Sequence, residues 1–254
     1  ILMMKKQWDA FSLNAALGAS INDKTVNSTR YDSKTASLKY ANVFNLANII
    51  MNGSAGLDQK IDARRQLQSL FATAQLGYNE FVYLDLSARN DWSSTLAYTS
   101  HEKSGFFYPS VGFSLIFNKL MTLPRWVSLA KIRGAYSMVG NDIPMFITNP
   151  SSHITAGGEF LASDAAPFKD MEPEMTHSFE AGIEARFLKN RIGLNATFYK
   201  TNTRNQFFKL PTLSGDKYAY RYVNAGDIQN VGWEISLDAV PLLTNHFKWK
   251  TEVN

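Results

Sequence analysis

The sequence predicts an all-β fold, part of an antiparallel transmembrane β-barrel with long extracellular loops. Runs of about ten residues alternate apolar and polar side chains. Their length and their period of two are those of a tilted strand that crosses a bilayer. The connections between these runs follow the order long, short, long, moderate, long, short, long, short. The 254 residues contain no run of roughly 18 apolar residues, so a transmembrane helix is not predicted.

The clearest strand pair lies in residues 176–201. From 179 to 187 the odd positions are apolar, and from 191 to 199 the even positions are apolar. The tripeptide Leu188-Lys189-Asn190 between them is short enough to close an antiparallel hairpin. We expect the apolar positions to face lipid, the polar positions to face a water-filled lumen, and the turn to lie on the periplasmic side.

Similar runs elsewhere bring the prediction to nine or ten strands. They cover approximately residues 7–21, 65–78, 81–91, 107–117, 129–138, 233–239 and 247–253. Residues 22–62, 92–105, 140–175 and 202–230 are predicted to be long loops. Successive antiparallel strands bring alternate connections to the same edge, so the long loops share one side, as the extracellular loops of outer-membrane barrels do.

Composition excludes several classes of protein. The chain has no Cys, which rules out disulfides, thiolate zinc sites and thiol nucleophiles. Its net charge is +4, and the densest basic group, Arg64-Arg65, is too small for a nucleic-acid patch, so no nucleic-acid partner is expected. The chain opens at Ile1 close to a predicted strand and ends at Asn254 inside another alternating run, so we expect a fragment of a longer protein.

The polar strand faces supply the candidate site residues. Asp85, Arg89 and Asp91 share one face of a predicted strand, Trp92 follows them, and Arg133 lies on the polar face of another strand. Paired carboxylates occur in glycosidases, but a hydrated lumen wall with mutually neutralising charges is the favoured interpretation. The five residues are therefore predicted to face the lumen or a substrate.

Catalytic, cofactor and metal sites are not predicted. The four His residues share no metal-ligand spacing, and the sequence contains no Gly-rich phosphate loop and no Ser nucleophile motif. The long loop over residues 140–175 is a candidate partner-contacting surface, because exposed loops often carry function.

Two other functions remain open from the residues alone. One is a soluble β-sandwich that binds carbohydrate through its aromatic side chains. In the barrel interpretation Trp92, Tyr98, Phe106 and Tyr108 surround one predicted outer loop, where aromatics can stack on sugars but more often form the interfacial girdle. The other is a passive barrel with a structural role. Membrane fractionation of the full-length protein separates the sandwich from the barrel, and the sequence upstream of Ile1 separates an importer from a passive barrel.

Five motifs, in order, resemble the barrel of the SusC/RagA-type TonB-dependent transporters of Bacteroidetes outer membranes. The resemblance covers roughly residues 69–254. The motifs read YLDLSARNDWSS (83–94), FYPSVG (107–112), IRGAYSMVGN (132–141), EPEMT leading into EAGIE (172–184), and NAGDIQNVGWE (224–234).

This resemblance implies a barrel of roughly 22 strands around an N-terminal plug. It also implies a TonB box, a SusD-like surface lipoprotein that closes over the barrel, and TonB-energised import of oligosaccharides or peptides through the outer membrane. Residues 1–254 are then a fragment of one barrel domain that lacks the plug domain and the TonB box, and the TonB complex acts through the missing N-terminal part. Neither a cofactor nor an enzymatic reaction is implied.

Overall fold

The computed structural model describes residues 1–32, 37–43, 45–50, 56–103, 105–154 and 160–254. Ten strands form one sheet: β1 (Leu2–Trp8), β2 (Phe11–Asp32), β3 (Gly56–Tyr78), β4 (Val82–Ser93), β5 (Phe106–Ile116), β6 (Val127–Asn141), β9 (Glu174–Phe187), β10 (Ile192–Arg204), β13 (Asp227–Leu243) and β14 (Lys248–Val253). Two small hairpins stand apart from it: β7 (His153–Ile154) with β8 (Phe160–Leu161), and β11 (Phe207–Pro211) with β12 (Tyr220–Asn224). The helical elements are α1 (Phe117–Leu120) and the 3₁₀ turns Leu46–Asn48 and Ser94–Leu96.

The ten strands stand in the sheet in chain order, and every neighbouring pair is antiparallel. In the part of the chain that the structure describes, the two other sheets have only two strands each. A β-sandwich needs two large sheets packed face to face, so this architecture does not favour the sandwich. The predicted fold class and strand number are confirmed.

The short connections gather at one edge of the sheet. The turn between β3 and β4 holds Asn79 and Glu80 at φ 46° and 56°, and the turn between β9 and β10 holds Leu188, Lys189 and Asn190 at φ 53°, 57° and 64°. Residues with positive φ match the right-handed twist of paired strands, which is why such turns close hairpins. This edge is periplasmic in a barrel with long extracellular loops.

One face of the sheet is apolar, and much of it is exposed. The register aligns Ile132, Ile183, Ala196 and Ile235 on four adjacent strands. The side chains of Ile183 and Ile235 are 46% and 57% exposed. An apolar surface of this extent is stable against hydrocarbon rather than water. We therefore assign this face to lipid, as predicted for the hairpin of residues 176–201.

Aromatic residues lie at both ends of the apolar face. Trp126 stacks on Phe187 at the periplasmic end, with ring centroids 5.6 Å apart. Phe198 contacts Trp233 toward the extracellular end, with centroids 5.2 Å apart. Aromatic belts of this kind mark the two membrane–water interfaces. Among the described residues, no helix is both long and apolar enough to span a bilayer.

The hairpin of β2 and β3 is longer than the sequence predicts. The prediction places a loop over residues 22–62, but β2 continues to Asp32 and β3 begins at Gly56. This loop prediction is wrong because the chain beyond Ile21 no longer alternates, although its backbone still pairs. The Arg64 guanidinium donates to Asp23 at 3.0 Å, and this hydrogen bond holds the pKa of Asp23 below its ordinary value.

Strand β1 is also missing from the prediction. The alternation begins at about Gln7, whereas the structure has a separate strand, β1, from Leu2 to Trp8, which pairs with β2. Its sequence, LMMKKQW, places two Met and two Lys side by side, so the period of two is lost. The turn that follows has Asp9 at a φ of 29°.

Candidate lumen wall and extracellular loop cluster

The polar face of the sheet carries hydrogen bonds that run from strand to strand. Asp85 accepts from the Gln75 amide at 2.8 Å, and Asn14 donates to Gln75 at 3.5 Å, which links β2, β3 and β4. Serine hydroxyls at Ser87 and Ser110 lie 2.8 Å apart across β4 and β5. The interiors of outer-membrane barrels are polar in this way, so this face corresponds to the lumen wall.

Arg89 and Asp91 form the best-connected group on this face. Arg89 Nε donates to Asp91 at 2.7 Å, and Arg89 Nη2 donates to the Ser69 hydroxyl at 2.9 Å. The Tyr108 hydroxyl also donates to Asp91. The carboxylate of Asp91 is thus neutralised and hydrogen-bonded by its neighbours, as expected for a wall residue whose side chain is only 10% exposed.

The spacing of the carboxylates does not fit glycoside hydrolysis. Asp85 and Asp91 are on the same strand, six residues apart, which is about 20 Å at ~3.3 Å per residue. The catalytic carboxylates of glycosidases lie roughly 5–9.5 Å apart. Glu180 and Glu184 on β9 are separated by four residues, or about 13 Å. Neither pair can act together on one glycosidic bond.

Arg133 bridges three strands of the same face. Its Nη2 donates to the Thr197 hydroxyl at 2.8 Å and to Asn195 Oδ1 at 3.3 Å on β10, which is two strands away. Gly182 on the intervening β9 makes this possible, because a Cβ there would lie 2.9 Å from Arg133 Nε. Beside Arg133 and Thr197 lies a cavity of about 420 Å³ that Glu234 also lines.

Trp92 is separated from the other four candidate residues. It follows Asp91 in β4, so its side chain starts on the opposite face of the strand, in register with Gln68. The indole nitrogen donates to the carbonyl oxygen of Lys103 at 3.2 Å. The prediction that Trp92 faces the lumen rests on its position next to Asp91 in the chain, and the register of β4 does not support it. Asp85, Arg89, Asp91 and Arg133 do share the polar face.

A small apolar core joins three extracellular connections. Its buried members come from the segment after β4, the start of β5, and the loop between β6 and β9, and Phe207 and Tyr222 of the β11–β12 hairpin pack against it. Leu96 and Met171 are fully buried. The members are Leu96, Phe106, Ile143, Ile147 and Met171, which we call the loop cluster. The sequence does not predict this cluster, since its residues are scattered through segments without periodicity.

Asp142 holds the base of this cluster to the barrel. Its carboxylate accepts from the Ser93 hydroxyl at 2.8 Å and from the Ile143 amide at 2.8 Å, and it also binds the Thr95 hydroxyl and the Arg65 guanidinium. The Thr148 hydroxyl donates to the Thr95 carbonyl oxygen at 3.0 Å. Polar contacts therefore tie the loop after β6 to both β3 and the end of β4.

The ordered single sheet, its lipid-facing apolar side and its polar side define an outer-membrane β-barrel segment. The model of the family described as "TonB dependent receptor-like, beta-barrel" matches residues 5–254. The chain belongs to this family. Within the described residues, no group of three or more His, Asp or Glu side chains is placed to hold a metal ion.

Curated relatives and solved structures agree with this family. The chain is 24% identical over 224 residues to TonB-dependent receptor P39 of Formosa agariphila. This alignment covers 85% of this chain and 21% of the relative. The chain is also 24% identical over 216 residues to TonB-dependent receptor SusC of Bacteroides thetaiotaomicron. That alignment covers 76% of this chain and 21% of SusC. The chain thus spans about a fifth of the length of these relatives.

The structure of the RagAB peptide transporter superposes with a TM-score of 0.79 at 20% identity, over 98% of this chain and 29% of that one. The outer membrane transporter YddB from Escherichia coli gives 0.67 at 13% identity, over 98% of this chain and 31% of YddB. The resemblance to SusC/RagA-type barrels that the five motifs predict is confirmed for this segment.

Proposed function

We propose that the full-length protein containing this segment imports oligosaccharides or peptides across the outer membrane and draws its energy from the TonB complex. The observation that carries the proposal is the polar face, on which polar and charged side chains are hydrogen-bonded from strand to strand between β2 and β5 and from β6 to β10. A hydrated wall of this kind suits passage of a polar solute. SusC and the RagAB peptide transporter, which this chain resembles, support the import of nutrients.

The segment contributes wall and loops to this import. Asp85, Arg89, Asp91 and Arg133 would line the path, and their action is electrostatic and steric, with no covalent chemistry. A plug domain and a TonB box would lie in the part of the full-length protein beyond residues 1–254. A SusD-like surface lipoprotein would close over the extracellular side, where the loop cluster presents an ordered surface.

The test is an uptake assay in the native bacterium. The gene is deleted and replaced on a plasmid, and the uptake of labelled oligosaccharide and peptide mixtures is followed with and without TonB. We expect the deletion strain to lose uptake of one mixture, and the plasmid to restore it only when TonB is present. Unchanged uptake in the deletion strain, or restored uptake that does not need TonB, would contradict the proposal.

A further inference from the structure

Basic side chains project outward from the barrel directly above its apolar belt. On β10 the even positions face lipid, and they read Ile192, Leu194, Ala196, Phe198, and then Lys200, Asn202 and Arg204. The change from apolar to basic occurs at Lys200, whose side chain is exposed. This position is on the outside of the wall, away from the path for imported solutes.

The neighbours of Lys200 place it at the membrane interface. Its partners in register are Phe179 on β9 and Val231 on β13. The contacting rings of Phe198 and Trp233 lie one alternation step below, which is about 7 Å along the strand. A lysine just above an aromatic belt extends its ammonium group to the level of the lipid headgroups.

A histidine on the adjacent strand faces the same way. His177 is in register with Asn202, so it is a diagonal neighbour of Lys200, with Cα atoms about 7–8 Å apart. The Tyr136 hydroxyl lies 2.8 Å from His177 Nδ1. When this phenol donates to Nδ1, the neutral ring carries its proton on Nε2 and becomes a hydrogen-bond donor. Lys200 and His177, which we call the outer rim pair, thus supply two donors on adjacent strands, one alternation step apart.

The charges around the outer rim pair leave a positive balance. Asp227 is the acidic residue on the outward face of β13 at this end, and it is engaged by Arg204, with Nε 3.5 Å from Oδ2, and by the Asn202 amide at 2.7 Å. Among the described residues Lys200 forms no ion pair, so its charge is available to a ligand.

We propose that the outer rim pair binds a phosphate group of the glycolipid lipid A in the outer leaflet. A phosphate offers several strong acceptor oxygens and negative charge, and it lies at the headgroup level that Lys200 reaches. Charge-assisted hydrogen bonds from an ammonium group and an imidazole are suited to such a group. The site is outside the lumen, so the inference depends on the barrel fold and is independent of the proposed import.

The test measures lipid binding to the purified full-length protein in detergent. The probes are bisphosphorylated lipid A and the same lipid after enzymatic removal of its phosphates. We expect Lys200→Ala to weaken binding of the phosphorylated lipid by about tenfold, as the loss of a charge-assisted hydrogen bond implies. His177→Ala should weaken it less, and Lys200→Arg should retain most of the affinity.

Lys217→Ala is the matched control. It removes the same charge from the tip of the β11–β12 hairpin, where Lys217 lies over the ring of Tyr218. Equal affinity of the Lys200→Ala and Lys217→Ala proteins would overturn the inference, and so would equally tight binding of the dephosphorylated lipid. The uptake assay is read separately, so failure of this site and failure of the import proposal give different results.

Discussion

At the scale of single residues, Asp142 has the most consequential position outside the strands. The Asp142 carboxylate pairs with a guanidinium from β3 and accepts hydrogen bonds from the end of β4, from the 3₁₀ turn after β4 and from the loop that contains Asp142. The side chain of Asp142 is 14% exposed and that of Arg65 is 33% exposed. Arg65 Nε is buried and has no hydrogen-bond partner among the residues that the structure describes. Arg65 therefore depends on Asp142 for compensation of its charge.

We expect Asp142→Asn to loosen the loop between β6 and β9. The substitution keeps the shape but leaves Arg65 without its counter-ion, and the expected loss in local opening free energy is ~1–3 kcal/mol. Hydrogen exchange of the amides of residues 142–154 and 160–173 in the full-length protein measures this loss. Glu80→Gln makes the same chemical change in the exposed pair with Lys119. If both variants exchange alike, Asp142 does not anchor the loop.

At the scale of elements, the hairpin of β9 and β10 defines the two faces of the sheet. Ile183 is 46% exposed on the apolar face, and Glu184 lies 3.5 Å from Arg186 on the polar face. The strand places these two neighbouring residues in opposite environments.

Ile183→Arg should impair assembly far more than Glu184→Gln. A guanidinium on the lipid face near the bilayer midplane costs ~2–4 kcal/mol, whereas Gln in the lumen remains hydrated. The amount of folded protein in outer membranes, determined by the difference in gel mobility between unheated and heated samples, is the measurement. Equal folded yields of the two variants would refute the assignment of the faces.

The turn of the same hairpin provides a second prediction. Lys189 has a φ of 57°, which glycine adopts readily and proline cannot, since its ring fixes φ near ~−65°. We expect Lys189→Gly to refold in detergent at least as well as the wild type and Lys189→Pro to refold poorly. Refolding of the proline variant at the wild-type yield would show that the turn does not need this conformation.

The accuracy of the sequence prediction follows from how each element is stabilised. Strands that face lipid on one side and water on the other must alternate, and residues such as Phe179, Ile183 and Phe187 make them visible. The extension of β2 and β3 beyond Ile21 does not alternate apolar and polar residues, so it shows only in the pairing of the backbone. Trp92 shows a further limit of prediction from sequence. It is adjacent to Asp91 in the chain, but its side chain starts on the opposite face of β4.

The loop cluster could not be predicted at all. Leu96 and Met171 are 75 positions apart in the chain and meet only after the strands between them have paired. Their contacts are tertiary and have no local period. The shared polar face of Asp85, Arg89, Asp91 and Arg133 could be predicted from alternation, but the bridge from Arg133 over Gly182 to Thr197 required the strand order.

At the scale of the whole molecule, the sheet and the loop cluster are separate stabilising units. The sheet is held by its hydrogen-bonded ladders and by lipid, whereas the cluster is held by buried side chains such as Leu96 and Met171. Regions of a protein that rest on different contacts open with different free energies.

Leu96→Ala should therefore damage the loops and spare the barrel. The cavity is expected to cost ~2–5 kcal/mol within the cluster, so proteases should cut the loops faster while the unfolding temperature of the barrel stays the same. Leu213→Ala is the control, since Leu213 is 87% exposed on an extracellular connection. A fall in the barrel's unfolding temperature with Leu96→Ala would mean that the two units are coupled.

The chain-order arrangement of the ten strands restricts how such a wall can change during evolution. Each strand reverses direction relative to the one before it, so loss or gain of a single strand would exchange the sides of all later connections. Short turns would then stand outside the cell, and loss of a strand between two connections of the loop cluster would split the cluster between the two sides of the membrane. Gain or loss of a hairpin preserves both sides, so variation in wall size should proceed in steps of two strands.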